Sequence, residues 1–489
     1  MSLTQKAGRA AFWQILGGAW QTIVRLVASV FLARALNPSD FGLFGMAILI
    51  YGLLNHIGAF GMSSGIIVKQ KVSRDDLNTC FWSITLVRSL LFLIVFLSAP
   101  QLAHFFKEPR LVPVIRVISF CFLIQIFNLI PEALLIKDLK FKSLNLIRGF
   151  AVFLESFFAV FFALTTQLAY WSLVLGMLIN VVFYNICLIL LAKWFPSLKF
   201  NVSNFMYFFR FGIHGIGFAI TNYLRQNLDY LLVGRLLGSY QLGLYEFAYR
   251  IPHLVFERIS RPVGRVVFPV LAKIQYDNER IFFGYVKAVK FVALVTFPIL
   301  FGMIAVADIL VPVLWGNQWL SIVRPLQILS LCAALRCLFQ PIGSIFYCKN
   351  RPDIPFKVSI AILIFTAICI WFLGYHFGLI GVAIGMLFSV FPSFFVLWFA
   401  FRFMLGVSIV RMFRELFPVF FSSLLCSIVA YLVRELFVRF YGDIKLALVV
   451  SILFGGLVYV FSLLFFFPFL VKEVFRDVEL IFGKSFRVV

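Results

Sequence analysis

Along the first apolar stretch of the chain, Gln14, Gly18, Gln21 and Arg25 recur at steps of four, three and four, the spacing that places side chains on one face of an α-helix. Amides and a guanidinium on one such face can hold an oxyanion, because the planar fork donates paired hydrogen bonds and stays ionised when partly desolvated. A later stretch carries Gly215, Asn222, Arg225, Gln226 and Asp229 on one broad face, followed by Glu246 and Arg250. Asn55 with His56 adds polar groups to a third stretch, and Arg88, Glu155 and Arg336 fall near the middle of others. Arg116 and Arg324 lie close to segment ends, where a long side chain snorkels to the interface. An ionisable group at mid-bilayer costs about 2.5–3.5 kcal/mol on insertion scales, so such groups face a cavity or a partner. Arg25, Arg225, Arg250, Arg88 and Arg336, with Gln21 and Asn222, therefore read as the lining of an anion-binding cavity. Asp229, Glu246, Glu155 and His56 are the groups suited to carry a proton or sodium. Arg225 with Asp229, and Glu246 with Arg250, also stand at i, i+4, so mutual neutralisation is the competing reading. Arg25 has Gln21 and Ser29 one turn away on either side, and no acid.

The elements that must position these groups are membrane helices. The chain is 63% apolar and 13% charged with a mean hydropathy of +1.02, against about 45–50% and ~25% in soluble domains. About fourteen apolar runs of roughly 20 residues fit along it, starting near Ala10, Phe41, Phe81, Leu111, Phe150, Tyr170, Phe211, Tyr240, Val292, Ile322, Val358, Ile380, Leu416 and Leu446. The runs are continuous and do not alternate, which excludes a β-barrel and leaves no soluble domain. The expected class is an all-α, polytopic membrane protein. The first run holds Gln14, Gln21 and Arg25 and no small-residue cleavage site, so it is expected to stay as helix 1 and not to be removed as a signal peptide.

A net charge of +23 does not point to nucleic acid, because the basic residues sort by loop. With the first residue inside, about 29 of the 43 Lys and Arg fall on that side, about 7 outside and about 7 within helices, a strong positive-inside bias. Lys6, Lys69, Lys137 and the run from Lys472 through Arg487 belong to the inside set, which places both termini in the cytoplasm. The eight cysteines show no CxxC and no histidine at metal spacing. They read as small buried hydrophobes, and no metal site or cofactor is expected.

Residues 31–47 and 232–248 are similar at an offset of 201: Arg34 and Arg235, Leu36 and Leu237, Gly42 and Gly243, Leu43 and Leu244, and Ala47 and Ala248 recur in register. A half-length repeat in so apolar a chain predicts two lobes of six helices, 1–197 and 198–404, related by a pseudo-two-fold axis along the membrane normal and facing each other across a central site. Residues 405–489 add two helices and a cytoplasmic tail, an appendage without a repeat partner. The basic linkers 193–210 and 258–290 interleave Phe and Val with Lys and Arg, which suits helices lying in the interface or solvated loops drawn to anionic lipid.

These residues resemble a known family. Gly8-Arg-Ala-Ala-Phe-Trp13 with Gln21, Leu32-Ala-Arg34-Ala-Leu-Asn-Pro38-Ser-Asp-Phe-Gly42, Asn227-Leu-Asp229-Tyr-Leu-Leu-Val-Gly234-Arg235 and Gly243-Leu-Tyr245 are similar to the polysaccharide-transporter branch of the multidrug/oligosaccharidyl-lipid/polysaccharide flippase superfamily, specifically its Wzx type. The resemblance covers essentially the whole chain. It implies a flippase, not an enzyme, that moves undecaprenyl-diphosphate-linked oligosaccharide across the bacterial inner membrane by alternating access without ATP. A cationic cavity would receive the diphosphate and sugar, Arg25 and Arg225 suiting that role best, while the polyprenyl tail stays in membrane lipid. Proton or sodium coupling is open, and a polysaccharide polymerase with export machinery is the implied protein partner. A peptidoglycan-precursor flippase shares the lipid diphosphate and stays as an alternative. A multidrug exporter would favour an acidic or aromatic cavity. A glycosyltransferase would need catalytic carboxylates in a large outside loop, and no GxxxxGK[ST] phosphate loop is present for a nucleotide-driven pump.

Overall fold

In hydrocarbon a continuous apolar run can satisfy its backbone only within itself, and the chain forms helix after helix. The computed structural model describes residues 3–58, 61–473 and 476, apart from the side chains of 3–7, 211, 214–216 and 218, and no strand occurs among the described residues. The expected all-α class is observed. Lys6, Gly215 and the tail from 477 through Arg487 lie outside the described side chains.

The chain divides into two units, Met1–Glu246 and Phe247–Val489. The first holds α1 (Leu3–Ala35), α2 (Pro38–Gly58), α3 (Met62–Val68), α4 (Arg74–Phe106), α5 (Leu111–Ile124), α6 (Leu129–Lys137), α7 (Phe141–Thr165), α8 (Trp171–Ala192) and most of α9 (Val202–Val255). Within it α1 packs on α7, α7 on α8, α5 on α2, α4 and α8, and α3 on α6. Met62, Ile66, Phe81, Ile84, Ile130 and Phe208 share one buried cluster of this unit. The opposite face of α7 exposes Phe150, Phe153, Phe157 and Phe161 at steps of three and four, an apolar stripe suited to acyl chains.

The second unit holds α10 (Arg261–Ala272), α11 (Asn278–Leu314), α12 (Val323–Phe339), α13 (Ile342–Cys348), α14 (Asp353–Phe388), α15 (Phe391–Phe399), α16 (Ile409–Tyr441) and α17 (Ile444–Phe466). Here α11 packs on α12, α16 and α17. The pair expected as an appendage is tied to α11 by Arg434 on Asp308 at 2.7 Å and by buried Lys290 on Glu415 at 3.1 Å. Of the linker 258–290, the part forming α10 is an amphipathic helix that continues from α9 through a π-helical turn at Phe256–Ser260, with Val266, Phe268 and Val270 exposed, while 278–290 opens α11.

Polar side chains fix where helices begin. Ser73 and Asp76 form a capping box at α4, and Asp277, Ser408 and Asp443 accept from backbone N–H groups of α11, α16 and α17, each cap contributing about 1 kcal/mol. Ten helices among the described residues are long and apolar enough to cross a membrane, or eleven with α5 and α6 taken as one span bent by 46°. Apolar runs and helices differ in number partly for a local reason, and α9 is not among the ten. The runs near Phe211 and Tyr240 join in α9 across Gly238 (φ 82°), and those near Val358 and Ile380 join in α14 across Gly378 (φ 58°).

Candidate functional site

The polar stripe of α1 is laid against α7 by small residues. A Cβ at Gly17 would sit 2.7 Å from Asn145 Oδ1, and one at Gly149 would sit 2.9 Å from Trp20. With the backbones this close, polar groups pair along the seam. Asn145 donates to Gln14 at 3.0 Å, Trp20 donates to the Gly149 carbonyl at 3.3 Å, and Arg25 Nη2 donates to Glu155 Oε2 at 3.2 Å. From α8, Asn180 donates to the same Glu155 oxygen at 3.0 Å. Gly176 lets α8 approach, since a Cβ there would lie 2.7 Å from the Glu155 carbonyl oxygen. The Arg25 side chain is 62% exposed and that of Glu155 24%. A guanidinium has five donors, so this end-on pair leaves Arg25 able to meet a second oxyanion.

Arg88 of α4 sits in a different setting, 2% exposed. Its Nη1 donates to Gln125 at 3.1 Å and its Nη2 reaches Asn55 at a long 3.5 Å, while Nε is buried without a hydrogen-bond partner. The Tyr51 hydroxyl and Asn185 Oδ1 are also buried without a partner in this unit. Arg148 of α7, by contrast, is neutralised: it pairs with Glu132 and donates to the Tyr184 hydroxyl at 2.9 Å.

On α9, exposed Arg225 donates to Asn222 at 3.2 Å. Asp229 is buried and accepts from the Tyr245 hydroxyl at 2.6 Å, a bond that joins the two limbs of α9 across the Gly238 break. Glu246 lies over Gly45, whose Cβ would be 3.6 Å from its carboxylate. The exposed His56 ring lies tilted against that of Tyr223, centroids 5.3 Å apart, and the Tyr223 hydroxyl donates to the Leu49 carbonyl at 2.9 Å. Gln21 is half-buried on α1. In the second unit, Arg250 lies over the Phe247 ring at 4.4 Å, and Arg336 donates to Tyr249 at 3.2 Å and to Ser389 at 3.3 Å.

The repeat has a structural consequence. A Cβ on Gly42 would overlap the Ser239 carbonyl, and one on Gly243 would overlap the Pro38 carbonyl. Pro38 and Ser239, like Gly42 and Gly243, are positions 201 apart, so corresponding turns of the two repeats meet reciprocally.

The structure thus brings Arg25 to Glu155, Arg88 to Asn55 and Tyr245 to Asp229. Sequence reasoning missed Asn145, Asn180, Gln125 and Tyr249 as partners. Their only signal was a neutral polar side chain inside an apolar run. The eight cysteines are free thiols, buried or half-buried.

Residues 31–324, more than half of the chain, match the family described as polysaccharide biosynthesis protein. The chain belongs to this family. It is a Wzx-type member of the multidrug/oligosaccharidyl-lipid/polysaccharide flippase superfamily, as its motifs led one to expect. Within the family it is 30% identical to the lipopolysaccharide biosynthesis protein WzxC of Escherichia coli over 79% of each chain. It is 27% identical to the teichuronic acid biosynthesis protein TuaB of Bacillus subtilis, over 96% of this chain and 97% of that one. Its fold is similar to that of the lipid II flippase MurJ in an inward closed conformation, with a TM-score of 0.76 at 16% identity, covering 94% of this chain and all of that one. The family assignment and the run of apolar helices make it a multi-pass membrane protein.

Proposed function

We propose that this chain is a flippase that carries an undecaprenyl-diphosphate-linked oligosaccharide across the bacterial inner membrane by alternating access, with both termini cytoplasmic. The observation that carries the reading is Arg25: a guanidinium about two-thirds of the way along a membrane helix, 62% exposed, in a chain of a polysaccharide-transporter family. A hydrated glycan and a diphosphate of about two charges cannot enter hydrocarbon uncompensated. Arg25 and Arg225, with Gln21 and Asn222 beside them, supply donors suited to that headgroup. The pairing of Arg25 with Glu155 supports exchange, the carboxylate holding the guanidinium until phosphate oxygens replace it. Glu155 is then also the acid placed to take up a proton or sodium on cargo release. Fourteen crossings follow if α5 and α6 form one bent span and if α9 and α14 each cross twice, turning at Gly238 and Gly378.

The test is transport in vesicles holding the purified full-length chain and an undecaprenyl-diphosphate oligosaccharide, read by cleavage with a membrane-impermeant glycosidase. Wild type should expose the cargo on the far leaflet, and Arg25→Ala should slow this by about tenfold or more. A wild-type rate equal to that of protein-free vesicles would sink the proposal. Faster movement of a lipid-linked peptidoglycan precursor, or of an organic cation, would assign the chain to one of the other branches.

A further inference from the structure

The end of the first unit that carries the Asn37–Asp40 and Gly238 turns holds a feature apart from the groups described above. Between the end of α4, the turn into α5 and the middle of α9 lies a cavity of about 400 Å³, room for many water molecules at about 30 Å³ each. Its apolar floor includes Pro100, Ala103 and Val112, and its polar rim is His104, Lys107 and Arg235, with Glu108 alongside.

Three details mark it as an anion site. Arg235 lays its guanidinium over the Phe105 ring at 5.2 Å, and its Nη1 is buried without any hydrogen-bond partner; a desolvated guanidinium N–H wants an oxygen acceptor. Lys107 closes α4 in the left-handed conformation at φ 56°, a position at which glycine is the usual residue, so the ammonium is held here against backbone preference. Glu108, the one acid on the rim, is already engaged. It accepts two bonds from Arg110, at 2.8 and 3.0 Å, and one from Ser239 at 2.6 Å. The hydrogen bond from Arg110 is the main reason its carboxyl is held below the usual range, which keeps it satisfied and leaves the other cations uncancelled.

We propose that this cavity binds a phosphate group, with Arg235 and Lys107 as its charged donors, His104 adding a ring N–H and the apolar floor receiving the glycerol portion of an anionic phospholipid. The orientation expected from the basic loops places it at the outer leaflet. A lipid headgroup and a free phosphate share this chemistry, so the experiment has two arms. The full-length chain is placed in phosphatidylcholine nanodiscs, and its melting temperature is followed as phosphatidylglycerol is added to the lipid, or as inorganic phosphate is added to the buffer.

Phosphatidylglycerol should raise the melting temperature by about 3 °C, and Lys107→Gly and Arg235→Gln should abolish the rise. Lys107→Gly is the safer variant for folding, because glycine fits the backbone there. Arg116→Gln, which removes an exposed cation of α5 stacked on Phe96 at 5.2 Å, should keep it. A rise with inorganic phosphate that is lost in the same two variants supports the site and names a soluble source. A rise that survives in both variants, or no rise in either arm, overturns it.

Discussion

Two guanidinium groups of the first unit, Arg25 on α1 and Arg88 on α4, meet the membrane in opposite ways. Arg25 is exposed and bonded to a carboxylate, while Arg88 is almost wholly buried and bonded to the neutral oxygens of Gln125 and Asn55. Neutral oxygens solvate a charge without cancelling it, whereas a carboxylate cancels it but can be exchanged for another anion. Burial and pairing are therefore separate variables. Arg88 is a charge locked into the packing among α2, α4 and the end of α5; Arg25 is a charge on loan to Glu155. The first arrangement suits positioning, the second recognition.

The largest effect should come from the buried member. Arg88→Ala removes two charge-assisted bonds and opens a cavity beside Gly58, where a Cβ would touch the Arg88 side chain at 3.6 Å. Unfolding of the purified chain in detergent should show a loss of roughly 3 kcal/mol. Arg88→Met, which fills the same space without charge, should lose less than about half of that. Equal losses in the two variants would mean that the charge, not the volume, holds this region.

Arg25 should separate the two roles in the other direction. Arg25→Ala should cost under about 1 kcal/mol in the same unfolding measurement, since its ion pair is largely exposed, while transport falls as stated above. If Arg25→Ala unfolds the chain as far as Arg88→Ala does, the contrast between the two sites disappears. Arg25→Lys keeps the charge but loses the fork, and should transport at a rate between Ala and wild type.

Much of this was legible in the sequence, for reasons that can be named. Apolar runs specify helices because hydrocarbon offers the backbone no other partner, and the starts near Leu111 and Tyr170 match α5 and α8 closely. The repeat around Gly42 and Gly243 was visible as residues in register. Its meaning, two turns so close that neither tolerates a Cβ, was not, because sequence similarity carries no distance. The 4-3-4 stripe correctly put Gln14 and Arg25 on one face of α1. The acid for Arg25 was sought one turn away and lies on α7, 130 residues along the chain. Helix periodicity reports the neighbours within a helix and is silent about the helix alongside. Asn145 and Asn180 escaped notice because each is a neutral amide outside the polar stripes that carry Arg25 and Arg225.

Glu155 offers a finer test of exchange at Arg25. Glu155→Gln keeps an oxygen for Asn180 to donate to but releases the guanidinium from a competing charge. Binding of inorganic diphosphate to the purified chain should tighten by up to about fivefold, the equivalent of an exposed ion pair, with little change in melting temperature. Weaker binding in this variant would show that the carboxylate positions Arg25 and does not compete with the anion.

The smallest effect belongs to another guanidinium–carboxylate pair, Arg110 with Glu108, in the turn outside the helices. Glu108 has its carboxyl lowered, first by the hydrogen bond from Arg110 and then by that from Ser239, while burial opposes them. A carboxyl lower in the folded than in the unfolded chain adds stability above the unfolded value, and the gain fades as pH falls through the folded one. Wild type should therefore melt above Glu108→Gln at about pH 7, and the gap should close as pH falls below the ordinary carboxylate range. Because Arg110 is half-exposed, with 49% of its side chain accessible, salt should narrow the gap as well.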